Sequence, residues 1–276
     1  MRRGNLFWGS FIILLGVLFF LQARGIITNV FSFIFPLALI LVGGWIILNV
    51  FWKPDISDDD TFSFALQSAK SVHFEFSHGA GQIQISGGAP TGKAIVGSSA
   101  VGMNTESRMD GDRLNVEIGA GPSMIPFIGP SSGVWRYQIT QEVPVTLEIN
   151  AGASGLDVDL KDVLATRIEI STGASGVKLT MPARGVSLLD VEAGAASFDI
   201  RVPDGVAARV RFDGGMNSMN VDTNRFPKID SGFYQSPDFD SAVNRAEINF
   251  EGGLGSVTVK KLRHVTLSDS EESPLL

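Results

Sequence analysis

A repeat of fixed period constrains this chain more than any other feature. The pattern is apolar-x-apolar, two residues, a glycine, three residues and apolar-x-apolar. It reads Leu147, Ile149, Gly152, Leu156, Val158, and returns as Ile168, Ile170, Gly173, Val177, Leu179. Leu189, Val191, Gly194, Phe198, Ile200 and then Val210, Phe212, Gly215, Met219, Val221 follow, with the glycines 21 apart each time. A later copy is Ile248, Phe250, Gly253, Val257, Val259. It follows Gly215 after one period plus a 17-residue insertion around Phe226 to Asn244. An early copy is Phe74, Phe76, Gly79, Ile83, Ile85.

Alternation of period two puts one face of a strand inside and the other in water. A glycine between two such runs permits a positive φ or a close backbone approach at a corner. Ala153, Ala174 and Ala195 follow three of the glycines, and Pro182, Pro203 and Gly205 mark the opposite turn. One repeat cannot bury its own apolar face, so copies must stack. The expectation is a single-stranded β-solenoid (β-helix) over residues 62–262, with about 21 residues per coil. Nine or ten coils would make about 45 Å of stack at ~4.8 Å each. An antiparallel sandwich is the competing fold, and the constant register speaks against it. The residues between Gly87 and Pro144 are irregular. The basic run Lys260-Lys261-Leu262-Arg263 is expected to protect the open end of the stack.

The first 53 residues are of another kind. Arg2, Arg3, Arg24 and Lys53 are their only charges, and no acid precedes Asp55. Asn5–Gln22 and Val30–Trp52 are uncharged stretches of 18 and 23 residues, near the roughly 20 that a spanning helix needs. They predict a membrane helical hairpin over residues 1–53, with spans 5–22 and 30–52. A buried core hairpin is disfavoured by their length, and a signal peptide by the missing cleavage site. Three basic residues outside the hairpin against Arg24 in its loop place the N-terminus and the C-terminal domain in the cytoplasm, at the plasma membrane. Residues 54–61 read as an acidic linker. Residues 263–276 read as a disordered acidic tail with serines beside acids.

Chemistry is sparse. There is no cysteine, hence no disulfide, thiolate metal site or cysteine nucleophile. From Pro54 onward 18 basic residues face 29 acids, a net −11, which argues against a nucleic-acid footprint. Asp58–Asp60 read as a solvated run. His73 and His78 are two ligands without a third, and His264 stands apart. Asp157, Lys178, Asp199, Asn220 and Thr258 are expected in one outward column of mixed sign. Gly79-Ala-Gly-Gln and Gly119-Ala-Gly-Pro lack the helix that would bind a phosphate. No carboxylate cluster of the polysaccharide-lyase kind is visible in sequence, although stacking could build one from distant coils. No residue is therefore assigned to catalysis, to a cofactor or to a metal.

Gly9-Ser-Phe-Ile-Ile-Leu-Leu-Gly, Gly25-Ile-Ile and Phe35-Pro-Leu-Ala-Leu-Ile-Leu-Val-Gly-Gly-Trp resemble the transmembrane region of LiaI- and LiaF-like bacterial proteins. The Gly152-Ala-Ser-Gly-Leu-Asp and Gly173-Ala-Ser-Gly-Val-Lys corners resemble their C-terminal toast-rack domain. The resemblance implies a non-catalytic regulator of the cell-envelope stress response, which restrains a membrane sensor kinase until wall-active antibiotics damage the envelope. It offers no catalytic residues. The partners it implies are the lipid bilayer, a sensor kinase and a second copy of the chain, with no nucleic acid and no cofactor. A self-assembling scaffold is the alternative function, and an enzyme acting on envelope polysaccharide, with the domain outside the cell and carboxylates clustered on one face, is a third.

Overall fold

The structure, a computed structural model, describes residues 20, 22, 24, 25, 60–99, 103–120, 134–215 and 218–262. The chain divides into two compact units, 1–57 and 58–276. The second is all-β. Its strands are β1 (Asp60–Ala65), β2 (Ser71–Gly87), β3 (Lys93–Ser99), β4 (Met103–Asp110), β5 (Arg113–Ala120), β6 (Val134–Ile139), β7 (Val145–Asp159) and β8 (Ala165–Thr172). Then come β9 (Gly176–Thr180), β10 (Val186–Val202), β11 (Ala207–Gly214), β12 (Ser218–Val221), β13 (Lys228–Asp230), β14 (Phe233–Gln235) and β15 (Arg245–Lys261).

The parity of the apolar pattern explains how each repeat folds. Along β10 the buried residues are Ser187, Leu189 and Val191, then Ala196, Phe198, Ile200 and Val202. The alternation slips from odd to even between them. In a straight strand that slip would send the second run to the opposite face. A bend at Gly194 turns it back, so both legs of the repeat face one interior. The legs stack in parallel. Leu147 lies opposite Ile168 and Leu156 opposite Val177, and the same 21-residue offset joins both legs to β10.

Seven such rungs form the stack, in the order β5–β6, β2, β7, β8–β9, β10, β15 and β11–β12. They run for about 29 Å at ~4.8 Å per step. Four apolar ladders pass through all seven. The ladder through Val116, Phe74, Leu147, Ile168, Leu189, Ile248 and Val210 is at most 1% exposed. Antiparallel strands close the ends. β4 lies on β5, and β3 then β1 lie on β6. The insertion folds as β14 and β13 against β11, with Arg209 over the Phe239 ring at 4.2 Å.

This architecture corrects the expected fold class. The rungs do not follow one another as in a single-stranded solenoid. β2 sits between β5–β6 and β7, although β5 and β6 come between them in sequence. β15, the last strand, is inserted between β10 and β11. Seven rungs replace nine or ten, because residues 87–144 supply a single rung, β5–β6, beside the closing strands β3 and β4, and the insertion supplies β13 and β14 instead of a coil. The basic run therefore does not guard the end: Lys260 and Lys261 belong to an interior rung and pair with Asp199 and Asp204. Of the two uncharged stretches only Phe20 and Gln22 are among the described residues. No helix among the described residues is long and apolar enough to cross a membrane. Neither the membrane helical hairpin nor the two-span plasma-membrane localisation stands on this structure. Residues 54–59, His264 and the tail 263–276 lie outside the described residues. Asp60 and Thr61, expected in the linker, begin β1.

The corner glycines are fixed by close approach, not by positive φ. A Cβ on Gly152 would lie 2.5 Å from the Gly79 carbonyl oxygen, and one on Gly173 would lie 2.9 Å from that of Gly152. Gly79 itself has open space. Gly152→Ala should therefore cost about 1–3 kcal/mol by forcing two rungs apart. Gly79→Ala should be nearly neutral. Urea midpoints of the two variants test this, and equal midpoints would contradict it.

Candidate functional site

Side chains that alternate away from the interior form outward columns, one per ladder position. One of these is acidic. Glu106 lies opposite Glu117, Glu117 opposite Glu75, Glu75 opposite Glu148, Glu148 opposite Glu169, and Glu169 opposite Asp190. Six carboxylates thus run side by side up one face at ~4.8 Å spacing. The neighbouring column on that face continues the charge with Glu192, Glu251 and Asp213.

Like charges directly opposite each other destabilise a sheet. Two charges ~5 Å apart in water repel by about 0.8 kcal/mol, less in physiological salt. The chain relieves this only in part. Arg167 hydrogen-bonds to Glu169 and reaches Asp190 at 3.1 Å. Its guanidinium is held above its ordinary range, chiefly by the hydrogen bond to Glu169. His73 stands 4.0 Å from Glu148. Among the described residues Glu106 and Glu117 have no basic partner within 4 Å. Glu75, Glu106 and Glu117 line a shallow groove of about 610 Å³. Glu169, Asp190, Glu192, Asp213 and Glu251 line a second of about 290 Å³.

Sequence inspection alone does not bring this cluster out. A signal was present, because Glu148, Glu169 and Asp190 are spaced by the repeat period. Glu75 and Glu117 join them only through pairings that are out of sequence order. No three or more His, Asp or Glu among the described residues are placed to hold a metal ion. Such a ladder can bind a basic surface.

The other singled-out residues lie away from the acidic ladder or apart from one another. Asp157, Lys178, Asp199, Thr258 and Asn220 share one outward column, in that spatial order. Burial raises the Asp199 carboxyl, but hydrogen bonds from Lys260 and Arg201 outweigh this and hold it below its ordinary range. His73 points outward and accepts or donates at Thr146 Oγ1, 2.8 Å away. His78 points inward and is 4% exposed. The two histidines lie on opposite faces of β2 and share no ligand. Gly79 and Gly81 lie within β2, with no helix after them.

His78 Nε2 is 3.0 Å from the Tyr137 hydroxyl, which donates to Met103 Sδ at 3.5 Å. Its ring meets the edge of Trp135, with centroids 5.0 Å apart. Burial pushes the imidazole down to about 4 and the Tyr137 hydroxyl up. Between pH 6.5 and about 4 the unfolded chain binds a proton that folded His78 refuses. The stability from this site is thus complete above pH 6.5 and declines as pH falls to 4, by on the order of 3 kcal/mol. Urea titrations should show that decline shrinking in His78→Phe. An equal decline in both proteins would contradict the assignment.

Residues 53–201 match the family described as the N-terminal domain of toast_rack, DUF2154. No curated protein matches the chain. Among solved structures, a candidate cell adhesion protein from Clostridium sporogenes is 15% identical, with a TM-score of 0.67. The alignment covers 74% of this chain and 99% of that one, and it speaks to the fold alone. A candidate adhesin from Bacteroides fragilis is 6% identical over 75% of this chain and 98% of that one, with a TM-score of only 0.27.

Proposed function

The chain belongs to the toast-rack family, and from that premise we propose that it is a non-catalytic interaction module that regulates a bacterial envelope-stress response. The observation that carries this reading is the acidic ladder from Glu106 to Asp190. A row of facing carboxylates is a standing cost to the fold. A basic segment laid across it removes that cost and gains charge complementarity, which favours fast and specific docking. The LiaF-like resemblance supplies the partner: a sensor kinase held inactive by contact and released under stress. Phosphate backbones would be repelled by this face, which speaks against nucleic acid as a partner.

End-to-end assembly into a scaffold is a second reading with its own observation. β12 pairs only with β15 among the described strands. Its inward residue Met219 is 43% exposed. An open edge with exposed apolar surface invites another strand.

A photo-crosslinking side chain at Glu106, compared with one at Asp157 on the other leg, separates the two readings in cells. Regulation predicts crosslinks from Glu106 to a sensor kinase, lost after a wall-active antibiotic. It also predicts that Glu75→Lys/Glu117→Lys/Glu148→Lys, if folded, switches on the stress response without antibiotic. Crosslinks to copies of the same chain alone, with a silent response, would sink the regulator reading in favour of the scaffold.

A further inference from the structure

The inserted position of β15 is one of two solutions that the same registers allow. Leu189 of β10 and Val210 of β11 both lie opposite Ile248. Val191 and Phe212 both lie opposite Phe250, and Phe198 and Met219 both lie opposite Val257. The members of each pair are one repeat period apart, the offset by which β7, β8–β9 and β10 stack directly. β11–β12 is thus already in the lateral register it needs to lie on β10. No residue would slip to the wrong face.

The connections permit both arrangements, provided that β14 leaves the edge of β11 that it now occupies. Thr180 to Val186 and Arg201 to Ala207 are equivalent links of six steps each. The first joins neighbouring rungs and the second spans two. Six steps of chain reach up to ~20 Å, against ~10 Å for two rungs. The inward residues are of one kind in both rungs: Val210, Phe212, Met219 and Val221 against Ile248, Phe250, Val257 and Val259.

A glycine unexplained by the observed order gives the alternative its support. Gly253 sits over the Gly194 carbonyl, where a Cβ would approach to 3.2 Å. Gly215 stands at the equivalent place one rung on. Yet among the described residues a Cβ there would meet nothing within 4 Å, and its φ is not positive. Only with β11–β12 directly on β10 would Gly215 face that carbonyl. The same move would set Arg211 beside Asp190, where Asn249 now donates to the carboxylate at 2.9 Å.

We propose that β15 and β11–β12 exchange places, giving the stack two strand orders at its C-terminal end, with β10–β15–β11 the major one. The major order is held by β15 itself, which is unbroken across 17 residues and bonded on both edges. Phe250 also packs between Phe198 and Phe212, at 5.4 and 5.2 Å. In the minor order β15 becomes the end rung and presents one whole edge. This inference does not rest on the functional reading above.

The chain has no cysteine, so paired thiols report order directly. Glu192 and Asp213 are exposed, and Glu251 lies between them. Across two rungs, ~10 Å, no disulfide closes; across one it can. In the full chain, Glu192→Cys/Glu251→Cys should oxidise quickly. Glu192→Cys/Asp213→Cys should oxidise slowly but completely to an intramolecular bond, with the β15 amides that now bond to β10 still protected from hydrogen exchange. Adding Gly215→Ala should leave the urea midpoint unchanged and slow that second bond by about tenfold or more. Thiols of the 192/213 pair that stay free, or a bond formed with those β15 amides unprotected, would overturn the exchange. So would a rate indifferent to Gly215→Ala.

Discussion

The distance between corner glycines of successive rungs governs this fold. At each corner the carbonyl of one rung occupies the space that a Cβ of the next would need, from Gly79 under Gly152 to Gly194 under Gly253. Backbones can then stack at hydrogen-bonding distance through a sharp bend. That spacing keeps the four apolar ladders in register on both legs and lines up the outward columns. Widening one corner would open the core and misalign a column together.

Much of this was legible in the sequence, for a local reason. Period-two alternation, its parity slip around Gly152, Gly173 and Gly194, and the constant offset between copies are all written within one repeat. They identify the residues that point inward. Rung order is another matter. Leu189 meets Ile248 with the same geometry that it would offer Val210, so the repeat leaves the choice open. The choice falls to β15, a strand of 17 residues that is bonded along both edges. The early copy at Phe74 illustrates the same limit, since it pairs with Leu147 on one side and with Val116 on the other. Neither separation equals a single repeat period, so neither shows as a neighbouring copy. The family match ends at residue 201, before the strands whose order is rearranged.

The acidic ladder follows from the same stacking. Glu148, Glu169 and Asp190 are harmless in an extended chain and crowded only once their rungs meet. Non-sequential pairing then brings Glu75, Glu117 and Glu106 into line. A surface of this kind is built by topology, and its ligand must be read from charge and spacing, not from a motif. His78 shows the converse. Near in sequence to His73, it is no neighbour in space, because an odd separation on one strand sends the two side chains to opposite faces.

The order of rungs underlies both the ladder and the corner spacing. Methyl and amide nuclear Overhauser effects on isotope-labelled full-length protein test it most directly. The account predicts dominant cross-peaks between Leu189 and Ile248, between Phe74 and Leu147, and between Phe74 and Val116. A dominant Leu189–Val210 cross-peak, with none from Leu189 to Ile248, would contradict it.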